Sequence, residues 1–127
     1  MAKVLVIDDD GAVRELLSEL LGQLGHEATL ASDGFEGLSA LEKGAFDLVV
    51  TDLVMPNKEG LETIREMRAL DPELKILAIS GGGLDCGLTY LRIAKSMGAS
   101  HTLPKPFTFL QFKDAVGPLL DPAAGEP

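Results

Sequence analysis

Short apolar segments alternate five times with amphipathic segments along this chain of 127 residues. The apolar segments are Val4–Ile7, His26–Ala31, Leu48–Val50, Ile76–Ile79 and Ser100–Leu103. Continuous apolar runs are typical of strands covered on both faces, whereas the second segment is only partly apolar and predicts an edge strand. Alternation of strand and helix implies right-handed crossovers and a parallel sheet between two layers of helices. The sequence therefore predicts a doubly wound α/β sandwich with five parallel strands.

Five segments with apolar residues at helical spacing follow the strands. They are 13–24, 35–43, 60–70, 88–97 and a last segment that begins after Thr108. Asp10 can cap the first helix, and Gly25 and Gly44 can end the first two. Two apolar stripes are predicted to face the core, that of the second helix (Phe35, Leu38 and Leu41) and that of the last (Leu110, Phe112, Val116 and Leu119).

The length suits one domain, which we predict to span residues 1–120, followed by a short loose tail at 121–127. The net charge is −9 and no basic cluster is present, which opposes binding to nucleic acid or to anionic membranes. Cys86 stands alone, so an internal disulfide and a multi-cysteine metal site are excluded. No apolar run is long enough for a signal peptide or a membrane span. We therefore expect a cytoplasmic protein.

Polar or charged residues occur where four of the predicted strands end. Asp8 and Asp9 follow the first strand, Asp52 ends the third, Ser80 ends the fourth and Lys105 follows the fifth. With the strand order 2-1-3-4-5, the first and third strands are neighbours at the point where the order reverses, and ligands bind there in such sheets. The sequence therefore predicts a cleft with three carboxylates, a hydroxyl and an ammonium group.

Three carboxylates in one cleft cannot all stay ionised without compensating positive charge. Lys105 supplies one such charge, while Arg14 and Lys58 flank the acids and are predicted to pair with surface charges. The remaining excess and the oxygen-only donors favour Mg²⁺, with Mn²⁺ as the alternative. Lys105 and Ser80 can bind phosphoryl oxygens, and Asp52 can attack phosphorus as a carboxylate nucleophile. The pattern predicts formation of an aspartyl-phosphate.

Four motifs at the strand ends together resemble those of receiver domains of two-component response regulators. They are Val6–Asp10, Thr51–Pro56, Ile79–Gly81 and Leu103–Phe107, in this order. The resemblance covers nearly the whole chain and implies a flavodoxin-like (βα)5 fold. It also implies a signalling module that catalyses only its own phosphorylation and dephosphorylation.

The resemblance implies a role for each matching residue. Asp52 is the implied phosphoacceptor, and Ser80 and Lys105 are the implied contacts of the phosphoryl group. The implied Mg²⁺ ligands are Asp8, Asp9, Asp52 and the backbone carbonyl of Val54. The peptide bond between Lys105 and Pro106 is implied to be cis. The implied phosphoryl donor is a phosphohistidine on a sensor histidine kinase or a histidine phosphotransfer protein.

Several positions depart from the family pattern or leave its output open. Thr102 stands where receivers usually carry an aromatic residue, so the ring movement that normally accompanies movement of Ser80 cannot operate unchanged. The segment Gly81–Gly87 contains extra residues, which form either a tolerated loop insertion or a recognition segment that phosphorylation reshapes. Val54 and Gly82 offer no polar group to orient an attacking water, which predicts a long-lived phosphoryl group.

Three functions are compatible with these residues. The favoured one is a receiver, expected to be monomeric, that passes its phosphoryl group on or binds a target protein when phosphorylated. A receiver-like binding module that ignores phosphorylation ranks second. An aspartate-nucleophile phosphatase ranks third, because that class carries a second acid two residues after the nucleophile, where this chain has Val54. The chain has no P-loop or GxGxxG signature, which argues against nucleotide binding.

Overall fold

The computed structural model describes residues 2–53, 60–80 and 86–120, which form strands and helices in strict alternation. In chain order these elements are β1 (Lys3–Ile7), α1 (Gly11–Gln23), β2 (Glu27–Ala31), α2 (Gly34–Lys43), β3 (Leu48–Asp52), α3 (Gly60–Leu70), β4 (Ile76–Ser80), α4 (Cys86–Met97), β5 (His101–Pro104) and α5 (Phe109–Leu120). The predicted α/β fold class is confirmed. The predicted tail at 121–127 and most of the segment at 81–87 lie outside the described residues.

The sheet has five parallel strands in the order β2-β1-β3-β4-β5, as predicted. β1 lies between β2 and β3, so the direction of the strand order reverses at this position. The register pairs Ile7 of β1 with Thr51 of β3, and Ser80 of β4 with Pro104 of β5. Because the strands are parallel, the segments that follow them all leave from the same edge of the sheet.

The core forms two layers, one on each face of the sheet, because successive strand residues point to opposite faces. One layer contains buried residues of β1, β3 and α3 (Leu5, Ile7, Val49, Ile64 and Met67). The other contains buried residues of β1, α1 and α5 (Val4, Val6, Leu17, Leu21 and Phe112). No helix in the described ranges is both long enough and apolar enough to cross a membrane.

Local sequence signals fix the ends of the first two helices. The carboxylate of Asp10 accepts a hydrogen bond from the backbone N–H of Ala12 at 2.9 Å and so caps α1. Gly25 follows this helix with φ +87°, a conformation that favours glycine. Gly44 is the C-cap of α2. The predicted caps and stops of these helices are therefore confirmed.

α4 begins earlier than the sequence pattern predicts. It starts at Cys86 and not at Leu88, so Cys86 lies in the first turn of a helix and not in a loop. Gly87 has low helix propensity and adds no apolar side chain to the helical pattern of this turn. The sequence pattern therefore does not reveal where the helix starts.

Two predictions about core-facing residues were wrong. The side chains of Phe35 and Leu110 are 58% and 61% exposed. α2 buries Gly34 and Gly37, and Phe35 lies off that face of the helix. Phe112 is buried in α5, and Leu110 lies about 200° from it around the helix axis. Both residues lie in the first turns of their helices, where the apolar pattern has few neighbours to fix the buried face.

Replacing Gly37 with alanine is expected to destabilise the fold by about 1–3 kcal/mol, the usual range for overpacking. A Cβ at this position would overlap the side chain of Ile7, with the added carbon 2.8 Å from Cγ1. The matched control is Gly22→Ala in α1, where an added Cβ meets nothing within 4 Å. Alanine there should stabilise the helix by up to about 1 kcal/mol.

Urea unfolding of both variants measures these differences, since the shift of the midpoint reports the change in stability. A Gly37→Ala variant as stable as the unmodified chain would show that α2 does not need its close approach to β1.

Candidate functional site

The parallel register brings the polar residues of four strand ends to one edge of the sheet. Ile7 pairs with Thr51, so Asp8 and Asp52 come next on neighbouring strands. Ser80 ends β4, and the backbone N–H of Lys105 donates to the carbonyl of Ser80 at 2.9 Å. The sheet alone therefore places these side chains along one edge.

Three carboxylates meet at this edge. Oxygen atoms of Asp8, Asp9 and Asp52, one from each residue, lie within 4.8 Å of one another. Asp8 and Asp52 are buried, with 2% and 9% of their surfaces exposed, whereas Asp9 is exposed. We call these three residues the acidic cluster. Carboxylates this close favour binding of a divalent cation, because their charges repel when no cation is present.

Lys105 provides positive charge beside the acidic cluster. Its Nζ lies 3.3 Å from Oδ2 of Asp8 and 3.8 Å from Oδ1 of Asp52. The side chain is 25% exposed, so its ammonium group reaches the cluster from the solvent side. The Lys105–Pro106 peptide bond is cis, as the resemblance implied. Within the described ranges, Lys105 is the lysine that faces the three carboxylates, which leaves a formal excess of negative charge among these groups.

The carboxyl of Asp52 has a strongly perturbed pKa. Burial is the largest cause and raises the pKa from 3.8 to about 6, against the opposing charge of Lys105. That value already includes smaller effects: the charges of Asp8 and Asp9 raise the pKa, and the backbone N–H of Leu53, which donates to Oδ1 at 2.9 Å, lowers it. Groups with perturbed pKa values that lie in clusters of this kind are candidates for chemistry.

Ser80 contributes a buried hydroxyl to the same edge. It is 2% exposed, and its Oγ has no hydrogen-bond partner among the described residues. A buried hydroxyl without a partner destabilises a fold by roughly 1–3 kcal/mol. Within the described residues, this hydroxyl is therefore a candidate donor to a ligand at this edge of the sheet.

Asp8 is held by a hydrogen bond at each of its backbone and carboxylate groups. Its N–H donates to the carbonyl of Ala31 at 3.1 Å, and its Oδ1 accepts from the N–H of Asp10 at 2.9 Å. Its Oδ2 faces Lys105, and its carbonyl accepts from Nη1 of Arg14 at 2.7 Å. The sequence pattern predicted surface charge pairing for Arg14 and missed this contact. The sequence does contain a signal for this contact: Arg14 lies in the first turn of α1, where side chains point back toward the start of the helix.

The acidic cluster fits Mg²⁺ by the chemistry of its donors. Mg²⁺ binds oxygen ligands, commonly one or two carboxylates together with water and phosphate oxygens. Asp8, Asp9 and Asp52 would hold the ion. Val54, whose carbonyl the resemblance adds to the ligands, lies outside the described residues, as does Gly82. The roles of both residues stay predictions.

Thr102 lies in the middle of β5 and pairs in register with Ala78 of β4. Its side chain is half-buried, next to the strand that ends at Ser80. The position is thus close to the cleft, while its role as a switch remains a prediction.

Known proteins with similar sequences and structures agree with this architecture. A family model described as "Response regulator receiver domain" matches residues 4–117. Sporulation initiation phosphotransferase F of Bacillus subtilis (strain 168) is 29% identical over 114 residues, which cover 90% of each chain. The response regulator MprA of Mycobacterium sp. (strain KMS) is 37% identical over 113 residues, which cover 83% of this chain. A crystal structure of a response regulator receiver domain protein from Clostridium thermocellum has a TM-score of 0.88 at 29% identity and covers 98% of both chains.

These similarities differ in how much of each relative they cover. This chain covers 44% of MprA, so it corresponds to one part of that protein. The family match, in contrast, includes all four motifs at the strand ends and, apart from Lys3, all five strands. The chain belongs to the response regulator receiver domain family.

Proposed function

We propose that this chain is the phosphoacceptor of a two-component phosphorelay. Asp52 takes a phosphoryl group from phosphohistidine, and Mg²⁺ held by Asp8, Asp9 and Asp52 is required. The observation that carries the proposal is the acidic cluster, with its oxygens within 4.8 Å, beside the ammonium group of Lys105. Receivers are signalling modules, so we assign no substrate turnover to the chain beyond its own phosphorylation and dephosphorylation.

Asp52 is the nucleophile in this proposal. A carboxyl with a pKa of about 6 is mostly ionised at neutral pH and can attack phosphorus. The new bond joins an Asp52 carboxylate oxygen to phosphorus, and the bond between phosphorus and the donor's imidazole nitrogen breaks. The imidazole keeps the electron pair of that bond. Bound Mg²⁺ (or Mn²⁺) would neutralise charge on the phosphoryl oxygens.

Lys105 and Ser80 recognise the product. The ammonium group of Lys105 turns from the carboxylate oxygen of Asp52 toward a phosphoryl oxygen, where it forms a charge-assisted hydrogen bond. The hydroxyl of Ser80, which lacks a partner in the described residues, donates to another phosphoryl oxygen. Thr102, on the neighbouring strand, then responds to the movement of Ser80 as the output position. The backbone carbonyl of Val54 would be a further ligand of the ion.

The proposed partners follow from this chemistry. The donor is a sensor histidine kinase or a histidine phosphotransfer protein, and the output is a target protein in the cytoplasm. One similar protein bears the name phosphotransferase, which supports a role in passing phosphoryl groups between proteins. The net charge of −9 argues against direct binding to DNA or membranes. We propose that the chain acts as a monomer and that residues 1–120 form the receiver domain.

Two alternatives remain in competition with this proposal. A binding module that ignores phosphorylation would not need the acidic cluster. An aspartate-nucleophile phosphatase would need an acid for the leaving group, and the residue two positions after Asp52 is Val54. Steady turnover of any member of a phosphomonoester panel would favour the phosphatase, and we expect none.

The proposal is tested with phosphoramidate, a small donor that contains the phosphorus–nitrogen bond also present in phosphohistidine. We expect one phosphoryl group per chain in the presence of Mg²⁺, no transfer after chelation of the metal, and release of the group in alkali, as for an acyl phosphate. Transfer that does not depend on a divalent cation would contradict the metal site. The half-life of the product tests the predicted effect of Val54 and Gly82, and a half-life of only seconds would contradict it.

A further inference from the structure

The main chain leaves the sheet at the residue that begins the acidic cluster. β1 ends at Ile7, and the N–H of Asp8 makes a hydrogen bond to the carbonyl of Ala31 on the neighbouring strand. Asp8 thus lies beyond the last residue of β1 and is buried, and a buried carbonyl needs a donor. Nη1 of Arg14 supplies it at 2.7 Å, a short distance for a hydrogen bond from a charged donor.

This hydrogen bond fixes the peptide unit between two residues of the acidic cluster. The carbonyl of Asp8 belongs to the peptide plane that also carries the N–H of Asp9, so rotation of this plane changes the direction of both side chains. The carboxylate of Asp8 has further contacts with Asp10 and Lys105. No described residue donates a hydrogen bond to the carboxylate of Asp9, so its direction depends on the main chain.

From this geometry we infer that Arg14 is a positioning residue for the acidic cluster, acting through the carbonyl of Asp8 to hold the carboxylates of Asp8 and Asp9 in a cation-binding arrangement. The inference rests on the proposed function, because it assumes that the cluster binds Mg²⁺. Partners that orient metal ligands typically contribute 10–100-fold to metal affinity, so we expect a loss of about 10-fold when Arg14 is replaced.

The sign of the effect separates positioning from simple electrostatics. The guanidinium carries a positive charge close to a site that binds a cation. If Arg14 acted only through its charge, its removal would lower the repulsion and tighten Mg²⁺ binding. If Arg14 acts through the carbonyl of Asp8, its removal frees the turn and weakens Mg²⁺ binding. The two accounts predict changes in opposite directions.

The test uses Arg14→Met, which keeps much of the length of the aliphatic stem and removes the guanidinium. Arg65→Met is the control, because it makes the same change in charge at an exposed position of α3. Isothermal titration calorimetry with Mg²⁺ alone measures the dissociation constant of each chain, and urea unfolding shows whether each variant is folded. We expect about 10-fold weaker binding for Arg14→Met and no loss of affinity for Arg65→Met.

Arg14→Lys keeps the charge and the stem but lacks the planar fork of the guanidinium. Its Mg²⁺ affinity should lie between those of the unmodified chain and Arg14→Met. Unchanged or tighter binding by a folded Arg14→Met variant would overturn the inference. If Arg14→Met does not fold, a Lys variant that binds Mg²⁺ as tightly as the unmodified chain would overturn it. Failure of the unmodified chain to bind Mg²⁺ would instead contradict the proposed function.

Discussion

Replacement of Asp52 with asparagine is expected to stabilise the Mg²⁺-free protein by about 1–3 kcal/mol near pH 7.5. Burial raises the pKa of Asp52 from 3.8 to about 6, and each pKa unit corresponds to about 1.4 kcal/mol of interaction free energy. The carboxyl of Asp52 therefore binds its proton more tightly in the folded state than in the unfolded chain. The stabilisation by the protonated carboxyl is fully present below about pH 4 and is lost as the pH rises through about 6.

Urea unfolding from about pH 4 to about pH 7.5 measures this contribution. The advantage of Asp52→Asn over the unmodified chain should grow across this range and vanish at its acidic end. Asp114→Asn, at an exposed position of α5, is the control for the loss of one acid. Saturating Mg²⁺ should stabilise the unmodified chain more than Asp52→Asn, because binding to the folded state adds to stability. An Asp52→Asn variant less stable than the unmodified chain near pH 7.5 would contradict the destabilising burial of Asp52.

Replacement of Lys105 with methionine is expected to slow phosphorylation by small donors by about 10–100-fold at neutral pH and saturating Mg²⁺, the effect of losing one hydrogen bond from a charged group in the transition state. Lys105 lies 3.8 Å from Asp52 and lowers the pKa of its carboxyl, so the variant should have a pKa for Asp52 above about 6. The variant also lacks the cation that contacts the transferred group. Lys113→Met makes the same change in charge at an exposed position and should phosphorylate at the normal rate.

The pH dependence separates the two effects of Lys105. If the raised pKa of Asp52 alone slows the reaction, the rate should recover fully at higher pH. If the lost contact with the phosphoryl group dominates, as we expect, most of the defect should persist above about pH 8. A normal rate of phosphorylation in Lys105→Met near pH 7 would contradict both effects and would show that Lys105 has no role in the reaction.

The three central strands, β1, β3 and β4, were predictable because they are buried on both faces. Val4–Ile7 and Ile76–Ile79 are continuous apolar runs, and few other structures accommodate such runs between two amphipathic helices. Right-handed crossovers then limit the strand orders of such a sheet to a few, and the resemblance to receiver domains selects 2-1-3-4-5 among them. The buried faces of α2 and α5 were less predictable at their first turns. In α2, Gly34 and Gly37 form the buried face, and a search for large apolar residues does not detect glycine.

The position of the site was predictable for a related reason. Parallel strands bring their carboxyl ends to one edge, so residues directly after the strands meet whatever their separation in the chain. Contacts that depend on side-chain direction were not predictable. Three such features depend on distances and burial in the folded chain: the bond between Arg14 and the carbonyl of Asp8, the raised pKa of Asp52, and the hydroxyl of Ser80, which has no partner in the part of the chain that the structure describes.

The most direct test of the central claim is mass spectrometry of the intact protein after incubation with acetyl phosphate and Mg²⁺. The unmodified chain and Asp114→Ala should each gain the mass of one phosphoryl group, and peptide mapping should locate it at Asp52. Asp52→Ala should gain none. An unmodified chain that gains no mass, or an Asp52→Ala variant that is phosphorylated to the same extent, would contradict the assignment of Asp52 as the phosphoacceptor.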